Sequence, residues 1–85
     1  MALAQFVDEI DRLYRSLYPL TNLRRARERA GFSQSELAEY AGVSVRTIQE
    51  FEQRRKNINK AQVDTVYPLA RALYTTVEAL IERIP

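Results

Sequence analysis

The sequence contains neither cysteine nor histidine among its 85 residues. Without cysteine the chain forms no disulfide, and this absence leaves its redox compartment open. Without either residue type it lacks the usual ligands of zinc and iron sites and the base of a histidine-containing catalytic triad. No other catalytic constellation is visible. We therefore predict that the protein is not an enzyme and binds neither a metal nor another cofactor.

Long apolar runs are also missing. No stretch approaches the ~20 apolar residues that a membrane-spanning helix needs. The first residues show no basic region followed by an apolar block, which is the pattern of a signal peptide. At 46% hydrophobic residues the composition is that of one small soluble domain. We expect a cytoplasmic protein without a membrane partner.

Positive and negative residues are nearly equal in number, with a net charge of only +2, but they are unevenly distributed along the chain. Residues 21–60 hold nine basic and five acidic residues, whereas the segments on either side are each slightly acidic. Such a concentration of positive charge is expected of a surface that faces nucleic-acid phosphates. A solvated face with scattered charge is the alternative interpretation of this pattern.

The chain begins with the pattern of an amphipathic helix. Its apolar residues recur at steps of three and four: Leu3, Phe6, Ile10, Leu13, Leu17 and Leu20, with Val7 and Tyr14 beside them. Pro19 predicts an end near Leu17 or Tyr18, because the residue before proline avoids helical angles. This apolar face can pack on the protein's own last helix or on a second copy. The seam is too short to associate strongly unaided, so we expect it to pack near Leu80 and Ile84 and to contribute to a two-fold interface there.

Five short helices and no strands are predicted after residue 20. Thr21 or Asn22 can cap a helix that runs from Leu23 to about Ala30 and that Gly31 ends. Capping boxes are predicted at three further helix starts: Ser33–Glu36, Asn59–Gln62 and Thr75–Glu78. Pro68 predicts a kink within the helix that follows Gln62. The expected fold is therefore all-α.

The helix that follows Ser33 and the next one form a distinct unit. Gly42 supplies the turn between them, where the backbone needs a positive φ. Ser44 can cap the second helix, residues 44–52, whose apolar stripe is Val45, Ile48 and Phe51. Two helices joined by a short glycine turn are a helix-turn-helix, and the second helix would enter the major groove of DNA.

Four motifs strengthen this interpretation: Leu23-Arg24-x-x-Arg27-Glu28, Gly31-Phe32-Ser33-Gln34-x-Glu36-Leu37-Ala38, Gly42-Val43-Ser44-x-x-Thr47-Ile48-x-x-x-Glu52 and Leu69-Ala70-x-Ala72-Leu73. Together they resemble the Xre family, the lambda-repressor-like helix-turn-helix of phage repressors, bacterial regulators and many antitoxins. The resemblance implies a five-helix bundle, here residues 20–85, with residues 1–19 as an additional N-terminal helix. It also implies a homodimer on a near-palindromic double-stranded DNA operator.

The resemblance assigns roles to individual residues. Base contacts are implied for Ser44, Val45, Arg46 and Glu50, and phosphate contacts for Gln34, Thr47, Gln53, Arg55, Lys56 and Lys60. Arg46 can pair with guanine O6 and N7, whereas Glu50 can accept from cytosine N4, orient Arg46 or be a spectator. Arg27 and Glu52 are implied to form an ion pair inside the fold. Tyr40 is a further candidate for a phosphate contact.

Four residues depart from the family pattern and leave the local loop geometry open, and one of them, Pro68, is unusual in the middle of a helix. Arg54 and Tyr74 stand where most members have glycine, and Ile58 stands where many have proline.

Two function classes follow from the sequence. The first is a sequence-specific transcriptional regulator, repressor-like, of phage, mobile-element or antitoxin type. The second is a protein-interaction module of the same fold, whose residues 3–18 bind a partner such as a toxin.

Overall fold

The fold is a chain of six α-helices, described here from a computed structural model that covers residues 3–82, without the side chains of residues 3–8 and 11. The helices are α1 (Leu3–Leu17), α2 (Asn22–Arg29), α3 (Gln34–Ala41), α4 (Val45–Glu52), α5 (Val63–Ala72) and α6 (Val77–Leu80), with a 3₁₀ helix (Ile58–Lys60) before α5. The described residues contain no strand. This confirms the all-α prediction, with one N-terminal helix and five short ones after it. None of the described helices is long and apolar enough to cross a membrane.

Side-chain caps set the starts of α2, α3 and α4. Thr21 Oγ1 accepts the Arg24 N–H at 3.1 Å, and Ser44 Oγ accepts the Thr47 N–H at 3.1 Å. At α3 the predicted capping box is complete: Ser33 Oγ accepts the Glu36 N–H, and the Glu36 carboxylate accepts the Ser33 N–H. Each bond satisfies a donor that the first helical turn leaves unpaired.

The capping box also lowers the pKa of Glu36, because the Ser33 backbone N–H and then its hydroxyl stabilise the charged carboxylate. A lowered pKa in the folded state means that the stabilising contribution is present above the ordinary carboxyl pKa. It is lost as the pH falls through the lowered value.

Two predicted capping boxes are wrong. Helix α5 has Gln62 as its N-cap without a side-chain cap bond, and Asn57 opens the preceding 3₁₀ helix by accepting the Asn59 N–H at 2.9 Å. Helix α6 starts one residue later than predicted, since Thr76 caps the Ala79 N–H. Neighbouring Asn and Thr residues are all competent caps, so tertiary contacts decide among them. Asn59 is held by the backbone of Glu82 instead.

The core draws one fully buried aliphatic side chain from each helix of the bundle. These residues are Leu23 of α2, Leu37 of α3, Ile48 of α4, Leu69 of α5 and Leu80 of α6. Burying a side chain of this size stabilises the fold by about 1.5–3 kcal/mol. Phe51 and Ile58 belong to the same cluster. Helix α5 continues through Pro68, and its buried face lies on both sides of that residue.

A buried ion pair joins α2 to α4. Arg27 Nε and Nη2 donate to the two carboxylate oxygens of Glu52 at 2.7 and 2.9 Å. The two side chains are only 10% and 4% exposed. Arg27 Nη1 donates to the Phe32 carbonyl at 2.8 Å, and Gln34 Nε2 donates to Glu52 at 3.1 Å. The hydrogen bond with Glu52 raises the pKa of Arg27 against the opposing effect of burial. The ion pair expected between these residues is thus present, and it includes α3.

Two residues of the predicted α1 seam, Leu13 and Leu17, do not pack inward. Leu13 and Leu17 are 60% and 64% exposed, whereas Tyr14 is only 6% exposed. The described contacts of α1 with the bundle come from its C-terminal part, where the Tyr14 ring lies 5.6 Å from the Arg54 guanidinium carbon. Tyr14 does approach Leu80, because both line one cleft. Ile84 and the side chains of the first six helical residues lie outside the described part of the chain.

Arg54 fastens α1 to the bundle. Its Nη2 donates to the Tyr18 carbonyl at 2.6 Å and to Glu82 Oε1 at 2.9 Å, and its Nη1 donates to the Pro19 carbonyl at 3.4 Å. We call this ion pair and its backbone contacts the Arg54–Glu82 clamp. The φ of Arg54 is +58°. Arg54 therefore keeps the left-handed geometry that glycine adopts easily, and its side chain makes contacts that glycine cannot.

Glu82 extends the clamp to two further segments. Its Oε2 accepts the Asn22 N–H at 3.1 Å, at the start of α2. Asn22 Nδ2 in turn donates to the Ile81 carbonyl at 2.8 Å. Asn59 of the 3₁₀ helix bonds both the N–H and the carbonyl of Glu82. The Glu82 carboxylate thus links α2 to the loop that follows α4, and Arg54 links that loop to the end of α1.

Replacing Glu52 by alanine should destabilise the fold by about 3 kcal/mol or more, because it leaves Arg27 buried without its counter-ion. Chemical denaturation measures this change. Glu28→Ala is the matched control, since Glu28 pairs with Arg24 at 2.7 Å on the exposed face of α2 and such pairs add little. Equal losses of unfolding free energy in the two variants would contradict the structural role of the buried pair.

Two glycine substitutions should act in opposite directions. Tyr74 has a φ of +54° and an exposed ring, so Tyr74→Gly should stabilise the protein by about 1 kcal/mol by relieving backbone strain. Arg54→Gly relieves the same strain but removes the clamp, and should destabilise by about 1–2 kcal/mol. Thermal melting of both variants checks the signs. Stabilisation by Arg54→Gly would show that the clamp contributes nothing.

Candidate nucleic-acid interface

Helix α4 follows α3 through a tight turn and presents a polar face. Gly42 ends α3 with a φ of +71°, and the Val43 N–H donates to the Ala38 carbonyl at 3.0 Å. Helix α4 buries Ile48 and Phe51 against the core. The residues between these two positions and before them therefore face away from the bundle. This is the geometry of a helix-turn-helix whose second helix is available to a partner.

The implied base-contact residues share the outer face of α4. Ser44, Val45 and Arg46 are exposed, and the Arg46 side chain is 86% exposed. The Ser44 and Thr47 hydroxyls lie 2.8 Å apart and bond to each other. The cap that starts α4 therefore also holds the first of these side chains in place.

Glu50 lies close to two cationic side chains on this face. Its Oε1 lies 3.6 Å from Arg46 Nε and 3.7 Å from Lys56 Nζ. The Glu50 carbonyl also accepts the N–H groups of Arg55 and Lys56, at 2.9 and 3.2 Å. The contact with Arg46 uses Nε, and the Arg46 side chain is otherwise largely exposed. This arrangement favours the orienting role for Glu50 over a direct contact with cytosine.

Three of the implied phosphate-contact residues lie around one surface groove. Thr47 of α4, Lys56 of the following loop and Lys60 of the 3₁₀ helix line a groove of about 410 Å³. Gln53 and Arg55 are exposed in the same loop. The groove thus places hydroxyl and ammonium donors from three segments on one surface, which suits a phosphate backbone.

Gln34 is placed differently. It is the first residue of α3, and its side-chain amide donates to Glu52 at 3.1 Å. In this structure the amide therefore belongs to the buried ion-pair network. The backbone N–H groups at the start of α3 are a second feature, beside the Gln34 amide, that can bind an anion at this position.

Sequence reasoning missed some of the residues around the site. Asn57, Gln62 and Thr65 also line the groove. Gln62 and Thr65 lie at the start of α5. The wrong capping box at Asn59 predicted an earlier start for this helix and so hid the position of these two residues. Arg54 belongs to the basic stretch 54–56 by sequence, yet its guanidinium points to the clamp and not to the groove. No trio of acidic side chains among the described residues forms a metal site.

Comparison with known proteins agrees with this geometry. The helix-turn-helix family matches residues 23–80, from the first turn of α2 to the end of α6. No curated protein and no solved structure matches the chain. The match covers well over half of the chain and includes the whole unit from α3 to α4, whereas α1 lies outside it. The chain therefore belongs to the Xre, or lambda-repressor-like, helix-turn-helix family of DNA-binding regulators.

Proposed function

We propose that this protein is a transcriptional repressor that binds a near-palindromic operator as a homodimer, with α4 in the major groove of double-stranded DNA. The observation that carries the proposal is the continuous polar surface that runs from Arg46 through Glu50 to Lys56 and into the groove with Thr47 and Lys60. Base-reading and phosphate-binding groups are thereby adjacent, as groove docking requires.

In this proposal α4 reads sequence through Ser44, Val45, Arg46 and Glu50. The carboxylate of Glu50 lies 3.6 Å from Arg46 Nε, which leaves the terminal nitrogens of Arg46 available to the base edges. That fork matches guanine O6 and N7, which is the commonest specific contact in the major groove. Phosphate contacts come from Thr47, Gln53, Arg55, Lys56 and Lys60, with Gln34 at the start of α3. These contacts position the protein and carry the salt-dependent part of the affinity.

A symmetric operator requires two copies at a fixed spacing, since half-sites lie about one helical turn, or roughly 34 Å, apart. The exposed leucines of α1, Leu13 and Leu17, supply an apolar seam outside the matched family segment. We assign this seam to the two-fold interface. The C-terminal end of α1 is anchored by Arg54 of the loop after α4. The same loop therefore holds both the proposed interface and the proposed reading helix.

The same exposed seam favours a second candidate function. An amphipathic helix with uncovered leucines is the kind of surface that enters the hydrophobic groove of another protein. In that case α1 binds a partner such as a toxin, and DNA binding accompanies the interaction. The two candidates differ in what covers Leu13 and Leu17.

Selection of bound DNA from a random pool tests the proposed function directly. A recovered near-palindrome with half-sites about one helical turn apart is the expected result. Recovery of no enriched sequence, at salt concentrations that permit binding, would contradict sequence-specific regulation.

Arg46→Ala and Lys56→Ala should have different effects on the selected DNA. Arg46→Ala should cost about 1–3 kcal/mol at one base position and relax specificity there. Lys56→Ala should weaken all sequences similarly and reduce the salt slope by about one unit. Fluorescence anisotropy across a salt series measures both, with Arg71→Ala as a cation control on the far end of α5. Binding that does not change with salt would exclude the groove-docking arrangement.

Replacing Leu13 and Leu17 by glutamine in the full chain separates the two roles of α1. Both side chains are exposed, so the fold should be retained. If the seam forms the homodimer, sedimentation velocity should show a shift toward monomer and weaker operator binding. If the variant is as dimeric as the wild-type chain, α1 does not assemble the dimer, and partner binding becomes the better explanation of its leucines.

A further inference from the structure

A deep cleft separates the C-terminal part of α1 from the bundle. Its volume is about 210 Å³, and its apolar lining comes from Tyr14, Leu23, Phe51, Ile58 and Leu80. All five side chains are buried, so the cleft reaches the core. A cavity of about 150 Å³ with a similar lining can hold a benzene ring. The cleft therefore has room for a single ring or a branched aliphatic group.

The ionisable residues around the cleft are mostly basic. Among the residues whose side chains the structure describes, Arg15, Arg54 and Lys56 line it, together with one acidic residue, Glu82. Both oxygens of Glu82 already accept hydrogen bonds, one from Arg54 and one from the Asn22 N–H. An anion that enters the cleft would therefore approach three cations in a partly buried environment, where electrostatic attraction is stronger than in water.

Arg54 also carries an unsatisfied donor. Among the described residues, its Nε is the buried side-chain nitrogen or oxygen without a hydrogen-bond partner. Leaving such a donor unpaired is unfavourable, and native structures contain few of them. A ligand carboxylate that draws the guanidinium toward the cleft would give Nε an acceptor. Apolar walls, excess positive charge and an unpaired donor are together the features of a site for a small apolar acid.

We propose that this cleft binds a small monocarboxylate with one aromatic ring or a branched apolar body, and that its occupancy weakens DNA binding. The first part stands on the cleft alone, whereas the second part rests on the proposed function. Phe51 belongs to α4, and Lys56 lines both the cleft and the phosphate groove. A bound carboxylate draws Lys56 away from Glu50 and places negative charge beside the DNA-facing loop. Because linkage is reciprocal, DNA then weakens ligand binding by the same factor.

The test is an NMR titration of the DNA-free full chain with benzoate. Benzyl alcohol serves as the neutral probe with the same ring, and acetate serves as the charged probe without a ring, all at constant ionic strength. We expect saturable shifts for the amides of Phe51, Asn57 and Ile58, with benzoate bound on the order of tenfold more tightly than either control. Benzoate that binds no better than acetate, or shifts centred on the exposed tyrosines Tyr40 and Tyr67, would overturn the site.

Two substitutions provide an independent check. Lys56→Ala removes an exposed cation of the cleft and should weaken benzoate binding severalfold without loss of fold. Arg71→Ala removes a cation that lies outside the cleft, beside Tyr67 and Tyr74, and should leave benzoate binding unchanged. Equal effects of the two substitutions would show non-specific attraction by charge and overturn the proposal.

The effect on DNA is measured separately. Saturating benzoate should weaken binding of the selected DNA on the order of fivefold or more, whereas acetate at the same ionic strength should not. Specific benzoate binding without this change would overturn the coupling and leave the cleft site intact. If the chain binds no DNA, the proposed function is contradicted. The DNA-free titration then still decides whether the cleft is a ligand site.

Discussion

The position of α4 depends on the buried ion pair between Arg27 and Glu52. Helices of eight residues are too short to be stable alone, so the direction in which α4 points is set by what holds its ends. Its first turn is capped by Ser44, and its last residue, Glu52, is bonded to both α2 and α3. A charged hydrogen bond specifies direction more narrowly than aliphatic packing does. The core supplies most of the stabilisation, and the ion pair fixes the orientation of α4 relative to it.

Local sequence signals predicted the parts of the fold that local physics controls. The stop at Pro19, the caps at Ser33 and Ser44, and the turn at Gly42 each follow from one or two neighbouring residues. The errors occurred where several residues compete for one local role. Asn59 has the chemistry of a cap, but its amide is engaged by a backbone segment more than twenty residues away. No local pattern contains that information.

The candidate site was predictable to a similar extent. The exposed face of α4 follows from helical periodicity, and the resemblance to the Xre family pointed to the residues on it. The interactions among them did not follow, because Glu50 could be assigned to a base, to Arg46 or to neither from spacing alone. Its simultaneous contacts with Arg46 and Lys56 depend on how the loop after α4 folds back. That loop turns at Arg54, where the sequence departs from the glycine of the family.

The Arg54–Glu82 clamp also imposes an order of events during synthesis. Helix α1 is synthesised before the bundle, yet its anchor, Arg54, follows Tyr18 by 36 residues, and Glu82 follows Asn22 by 60. Contacts of such long sequence separation form late, after the local helices have assembled. Leu13 and Leu17 are exposed in the folded protein, and they are exposed on the nascent chain as well, while the bundle that anchors the helix is still incomplete. In the homodimer proposed above, two chains translated side by side from one message would then pair through α1 before either bundle has closed.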